Sequence, residues 1–238
     1  DWLDISPVPV APETVSLWYI EDYVNEGFYN CHYGDVVRLV SDAIWRGVHL
    51  AGIDIVPVEY SPELGVRFAQ KITLSVEHTG GQGEVFDERL LSPWFLPMYR
   101  DMIVNYSIAF PDELNFSKEW DPSDGAELLV IVAPSFQTSI QPWVDWKLFM
   151  GLPTKVVSTD ITGTTTTSVK NYIQNAYDTW ALPPTFVLLA GDAEDIATYS
   201  DISGNVGDHD YTTLEGSDEF SDIYIGRVSA DNTTQMQT

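Results

Sequence analysis

Thr185-Phe186-Val187-Leu188-Leu189-Ala190 runs straight into Gly191-Asp192-Ala193-Glu194-Asp195. A short, unbroken apolar run of this kind predicts a strand covered on both faces, as in a parallel sheet. Gly191 lets the backbone turn tightly, so Asp192 arrives at the carboxyl end of the strand. In an open parallel sheet that end is where sites collect.

The preceding residues repeat the grammar. Glu127–Ala133 is a second continuous apolar run. Ile140, Trp143, Val144 and Leu148 then share one side of a helix, with Pro142 in its first turn and Gly151 as its stop. Thr154–Ser158 reads as another strand. Across Thr167–Trp180 the residues Val169, Tyr172, Ile173, Ala176, Tyr177 and Trp180 recur every three or four positions, which predicts an amphipathic helix. Strand–helix–strand–helix–strand implies a parallel sheet with right-handed crossovers. The expected fold class is therefore α/β here, preceded by a β-rich part.

That earlier part has a different texture. Residues 1–30 are rich in proline and aromatics and suggest loops with short strands, and Asp35–Val40 suggests another strand. Gly47–His78 reads as a long hairpin, turning at Ser61-Pro62-Glu63-Leu64-Gly65. Within it, Ile72, Leu74 and Val76 alternate with Thr73, Ser75 and Glu77, the period of a half-buried antiparallel strand. Pro57 places part of the first strand at an edge or bulge. Thr79–Gly83 is a flexible break, and Met98–Tyr106 suggests a short helix. The polar stretch with Pro122, Ser123, Asp124 and Gly125 marks the best boundary. The expected organisation is a β-rich part over 1–111, a linker over 112–125, and an α/β part over 126–238.

Eleven basic residues against 36 acidic ones give the 238-residue chain a net charge of −25. That opposes binding to nucleic acid or anionic membranes, which needs basic patches. It suits an exported, salty or calcium-containing setting, and equally plain solubility. No apolar run approaches the roughly 20 residues of a membrane helix. The lone Cys31 excludes an internal disulfide. Opening on Asp1 without a charged-then-apolar leader suggests a removed leader or a piece of a longer protein.

Acids crowd the region after Gly191: Asp192, Glu194, Asp195, Asp201, Asp208, Asp210, Glu215, Asp218, Glu219, Asp222 and Asp231, answered by Arg227. Asp192, Glu215, Asp218 and Asp222, with the Phe220 carbonyl, are the type of oxygen donors that calcium takes. By spacing alone, a solvated acidic loop stands ahead of a metal site, and the spacing is not that of an EF-hand. Cys31-His32 invites a nucleophile reading, but neighbours on a strand point to opposite faces, so a structural thiol is preferred. His49 and His78 make only two nitrogens, a poor metal site. His209 suits a hydrogen-bonded loop. Dinucleotide, phosphate-loop and nucleophile-elbow motifs are absent. Asn105, Asn115 and Asn232 open glycosylation sequons, a pattern with many chance matches.

Taken together, Glu127–Ala133, Pro142–Lys147 with Gly151–Thr154, Val187–Asp192, Asp208–Tyr211, Leu214–Gly216 and Phe220–Arg227 resemble the gingipain family of cysteine endopeptidases (peptidase family C25), with their caspase-like fold. The resemblance covers about Glu127–Val228, the first catalytic subdomain. Ile53–Pro62 and Lys71–Glu77 look like the end of that family's β-rich prodomain. The resemblance implies a structural calcium site at Asp192, Glu215, Asp218, Phe220 (carbonyl) and Asp222. It also implies that the catalytic Cys and His lie in later segments, so that no catalytic residue is in this chain. The prodomain is then expected to cover the cleft, with Arg89 and Arg100 as candidate inhibitory side chains and Lys118 as a processing point. The function implied is the N-terminal part of a secreted or cell-surface endopeptidase zymogen acting on proteins or peptides. Its partner is the rest of its catalytic domain, joined or as a separate chain. The alternative is a non-catalytic, calcium-dependent binding module on the same scaffold, and a flavodoxin-like ligand binder is disfavoured by the missing phosphate loop.

Overall fold

The computed structural model describes residues 14–17, 37–61, 65–68, 71–74, 87–110, 120–200 and 204–237. Cys31, His32, His78, the break at 79–83, Lys118 and most of the 112–125 stretch lie outside the described residues. The chain divides into two packed units, one of Asp1–Ala43 with His49–Val85, the other of Ile44–Val48 with Phe86–Thr238.

The first unit is built of strands: β1 (Thr14–Leu17), β2 (Val37–Trp45), β3 (Val48–Ile55), β4 (Val58–Ser61), β5 (Gly65–Phe68) and β6 (Lys71–Leu74). β4 and β5 form the antiparallel hairpin expected around residues 61–65, with Val58 opposite Phe68. The long strand expected before it is broken between Ile55 and Val58, where Pro57 has no N–H to give a ladder. β6 does not continue that hairpin; it runs parallel to β1, Thr14 opposite Lys71. A further hairpin, β2 with β3, turns at Arg46-Gly47, whose φ angles are 46° and 78°. Two successive positive φ angles are the geometry of the tightest hairpin turns. The tip of this hairpin, Ile44–Val48, groups with the second unit.

In the second unit the elements follow as α1 (Leu96–Met102), α2 (Tyr106–Ala109), β7 (Leu128–Val132), α3 (Gln137–Phe149), β8 (Thr154–Ser158), α4 (Thr159–Thr162), α5 (Thr166–Thr179) and β9 (Phe186–Ala190). A small ribbon, β10 (Tyr199–Ser200) with β11 (Val206–Gly207), precedes β12 (Tyr224–Val228) and α6 (Thr233–Met236). β7, β8, β9 and β12 make one parallel sheet in the order β12-β9-β7-β8. Every residue of β7 is buried, which is why Glu127–Ala133 carries no polar alternation. Leu129, Ile131, Val187 and Leu189 pack with Val169, Ile173, Ala176 and Tyr177 of α5 on one face. Leu128, Val130, Val132 and Ala190 pack with Ile140 and Val144 of α3 and Met236 of α6 on the other. The chain steps from β7 to β8 one way and then crosses back to β9. Right-handed crossovers in opposite directions put α3 and α5 on opposite faces. The carboxyl ends of β7 and β9 are therefore a topological switch point.

One expectation changes. Leu148 is exposed rather than buried with Ile140 and Val144, as are Trp146, Phe149 and Met150, because α3 turns only its Ile140–Val144 stripe to the sheet. The stretch at 112–125 leads into the sheet. Gly125, at φ 116°, enters where an added Cβ would lie 2.4 Å from the Leu182 carbonyl oxygen. Leu90, Phe95, Tyr99 and Phe110 are already buried before it, so the unit begins at Phe86.

Ile173→Ala is expected to cost about 2–5 kcal/mol by urea denaturation, since it empties a filled site. Phe149→Ser, on the exposed end of α3, is expected to change stability by less than about 0.5 kcal/mol.

Candidate functional site

Arg227, on β12, ties the strand ends together. Its Nε and one terminal nitrogen donate to both carboxylate oxygens of Asp208, at 2.9 and 2.8 Å. The other terminal nitrogen donates to the carbonyls of Gly191, Asp192 and Ile196, at 3.1, 3.3 and 2.9 Å. A planar fork suits this work because it reaches a carboxylate bidentately and still has donors left. Asp192 turns its carboxylate to the N–H of Ala193. Gly191 has φ 149°, and an added Cβ there would meet the Asp195 side chain at 3.0 Å. Beside it lies an open acidic hollow of about 390 Å³, lined by Ser135, Phe136, Asp192, Glu194, Asp195 and Asp231 among others. It sits at the switch point between β7 and β9.

The acidic loop from Asp208 to Asp222 is held by donors from elsewhere in the unit. Lys170 of α5 donates to the carbonyls of Asp210 and Thr213, at 2.6 and 2.7 Å. Burial holds its ammonium pKa below the usual lysine range, opposed by Asp222 and Asp210. Tyr211 donates to the Ala197 carbonyl at 2.6 Å, and burial pushes its hydroxyl up to about 12. Thr212 bridges to Ser221 at 2.8 Å. His209 lies 3.6 Å from Glu219, both largely exposed, as expected of a loop histidine.

The C-terminal side of this loop receives the hairpin tip. Asp222, fully buried, accepts the N–H groups of Leu214 (2.6 Å) and Glu215 (2.8 Å) on one oxygen and that of Arg46 (2.7 Å) on the other. Asp218 accepts the N–H of Ile44 at 2.9 Å and that of Phe220 at 2.8 Å. Glu215 accepts the N–H of Gly47. The Arg46 guanidinium, 1% exposed with the rest of its residue, donates to the carbonyls of Leu90 (2.7 Å), Pro184 (3.0 Å) and Asp222 (2.8 Å) and to the Thr185 hydroxyl (3.0 Å). It lies over the rings of Phe95 and Tyr177, at 5.1 and 5.5 Å. Trp45 stacks on Phe220 and donates to the Ser221 carbonyl at 2.9 Å. Burial raises the carboxyl pKa of both Asp222 and Glu215 above the usual range, against the opposing pull of the backbone N–H groups. The Tyr177 hydroxyl is buried without a formed hydrogen bond, though it is near enough to Glu215 to favour the carboxylate.

Four of the five expected calcium donors, Glu215, Asp218, Phe220 and Asp222, therefore come together. Their carboxylate oxygens are engaged by backbone N–H groups, and Phe220 contributes its ring. Asp192 lines the separate hollow. Among the described residues no group of three or more His, Cys, Asp or Glu is placed to hold a metal ion. As arranged, these residues do not fit a calcium site. Of the expected inhibitory side chains, Arg89 pairs with Asp87 and donates to the Trp180 carbonyl, while Arg100 is exposed over the Tyr106 ring. The arginine that is buried, Arg46, was not singled out by the sequence reading. The signal that could have found it is Arg46-Gly47 between two β-rich runs, a hairpin turn.

Asp222→Ala is expected to cost about 3 kcal/mol or more by denaturant midpoint, because three buried N–H groups lose their acceptor. Glu215 gives a pH test. Its folded pKa is raised, so its contribution is fully present below the unfolded value, near 4.5, and is lost as pH rises through the folded value. Relative to Glu215→Gln, the parent chain is thus expected to lose stability as pH rises from about 4.5 toward neutrality. A stability difference that stays flat across that range would contradict the assignment.

Residues 121–238 match Peptidase family C25. Gingipain R1 of Porphyromonas gingivalis is 27% identical over 231 residues, covering 95% of this chain and 22% of the relative. Gingipain R2 of the same organism is 25% identical over 233 residues, covering 95% of this chain and 30% of the relative. The chain thus spans less than a third of the length of the curated relatives it matches. Among solved structures, the complex of P. gingivalis RgpB pro- and mature domains is 28% identical over 47% of this chain and 27% of that chain, with a TM-score of 0.45. Residues 121–238, just under half of the chain, are thus similar to Peptidase family C25, and the chain as a whole is similar to the gingipains.

Proposed function

We propose that the chain is the N-terminal part of a secreted gingipain-like cysteine endopeptidase precursor, comprising the end of a β-rich prodomain and the first α/β subdomain of a caspase-like catalytic domain. One observation carries this reading: the same gingipain relatives align across 95% of the chain, through both the β-rich half and the family-matched half. In this reading the nucleophilic Cys and its His partner belong to the remainder of the catalytic domain, joined to this chain or supplied as another. The thiolate attacks the peptide carbonyl, the protonated His gives its proton to the leaving amine, and water then hydrolyses the acyl-enzyme.

This chain contributes the frame. The Arg227–Asp208 pair and the three carbonyls it gathers hold the ends of β9 and β12, where later strands of a parallel sheet would take their register. The substrates are proteins or peptides. The location is extracellular or at the cell surface, consistent with the excess of acids.

The test is expression of the chain with its genomic continuation, followed by a peptide-cleavage assay after removal of the N-terminal part. Cleavage abolished by a thiol alkylator is expected. Absent cleavage, or cleavage indifferent to alkylation, overturns the reading. Running the assay with a chelator, and then with calcium restored, tests the expected calcium dependence separately from the peptidase activity.

A further inference from the structure

We propose that β8 is the contact edge of a two-fold dimer, in which the strand pairs antiparallel with β8 of a second copy of this chain and the two parallel sheets join into one. β8 is one border of the sheet order β12-β9-β7-β8, opposite β12, from which the chain runs on to α6. The proposal concerns assembly and does not rest on the peptidase reading.

The edge is open in a specific way. The Leu128 N–H donates to the Pro153 carbonyl at 2.9 Å. Backbone groups alternate in direction along a strand, so Pro153, Lys155 and Val157 turn theirs to β7, while Thr154, Val156 and Ser158 turn theirs outward. Among the described residues nothing meets those outward N–H groups. Sheet edges are commonly blunted by a bulge, a proline within the strand or an outward charge. Thr154–Ser158 has none of these. Its register with β7 is unbroken, and its one charged residue, Lys155, is folded over the Trp180 ring at 4.5 Å. The acids after Gly191 lie beyond β9 and β12, toward the other side of the sheet, so the −25 charge of each copy is not concentrated at this edge.

The edge also fits itself. A two-fold axis at Val156 sets Val156 against its own copy and Thr154 against Ser158, so each outward residue meets an outward residue and can exchange both hydrogen bonds with it. In this register Lys155 lies opposite Val157 of the second copy. Moving the axis to Lys155 sets two lysines directly opposite, which is unfavourable. Moving it to Val157 carries Thr154 past the end of the other strand. Strand direction reverses across the axis, so the start of each β8 lies beside the end of the other. Phe149 and Met150, 89% and 61% exposed just before one strand, then approach Ile161, 71% exposed just after the other. Ile140 and Val144 of α3 pack with Val130 of β7 and Val156 of β8. With strands about 4.8 Å apart, helices lying over β7 and β8 in the two copies come side by side, antiparallel and roughly 10 Å apart, the spacing of packed helices. The exposed Trp146 and Phe149 are then covered by the second α3. The apolar side chains that α3 leaves outside its own core thus flank the same edge that leaves its backbone unpaired.

The experiment is sedimentation equilibrium of the full chain between about 1 and 200 μM, with amide hydrogen exchange read at β8. A dimer with a Kd of about 10 μM or tighter is expected, with the Val156 N–H better protected at high concentration than at low. Val156→Pro removes an N–H that points away from β7, which an edge strand tolerates, so it is expected to keep the fold by circular dichroism and weaken the dimer roughly ten-fold or more. Phe149→Ser is expected to weaken it roughly five-fold. Should Val156→Pro not fold, Phe149→Ser and the exchange of the Val156 N–H decide. A parent chain still monomeric at about 200 μM, or a dimer whose Kd moves by less than about two-fold in the folded variants, overturns the proposal. So does a chain joined to its genomic continuation that is monomeric yet protects the Val156 N–H, because the continuation is then what covers the edge. None of these outcomes bears on the thiol-dependent cleavage assay.

Discussion

A guanidinium taken out of water must be met by oxygens on nearly every N–H, or the fold does not tolerate it. Arg46 imposes that demand on the α/β unit. The approach to α1 supplies the Leu90 carbonyl, the entry to β9 supplies Pro184 and Thr185, and the entry to β12 supplies Asp222. These segments are far apart in the chain and would otherwise share little. Asp222 serves twice, its carbonyl receiving the side chain and its carboxylate the N–H of the same residue. The aromatic group of Trp45, Phe95, Tyr99 and Phe220 closes over the turn with edge-on and stacked contacts.

The same demand explains how so acidic a loop is ordered. With a net charge of −25, carboxylates close together need a counterweight. A bound cation is one solution. Among the described residues, Arg227 serves Asp208, and backbone N–H dipoles serve Asp218, Glu215 and Asp222. Lys170 holds the loop's carbonyls between them. Burial raises the pKa of Asp222 and Glu215 against the opposing pull of these donors. The resemblance implied calcium at these acids; in the structure Asp218, Asp222 and Glu215 accept backbone N–H groups from Ile44, Arg46 and Gly47.

Much of the sheet could be read from local pattern. The continuous apolar runs at 127–133 and 185–190 and the three-and-four spacing of 167–180 report burial on two faces and on one stripe. Those are properties of neighbouring residues, and the strands and helix formed where expected. The β-rich half was readable as strands but not as pairings. β6 alternates as a hairpin strand would, yet it pairs in parallel with β1, because alternation reports a half-buried face and not which strand lies alongside. Leu148 fitted the α3 stripe by spacing, but the face that reaches the sheet is narrower than the apolar face of the helix.

By itself the sequence determined the α/β class, the order of its strands along the chain, the acidic character of the loop after Gly191 and the likeness to an endopeptidase family. Hydrophobic period, turn chemistry and motif order are local, and each survives being read along a line. Only the tertiary structure decided what Asp218, Glu215 and Asp222 hold, because their partners at Ile44–Gly47 lie 168 to 176 residues away. An arginine in a turn reads as a solvated side chain until the carbonyls that surround it are in place, and those come together only when the sheet has closed.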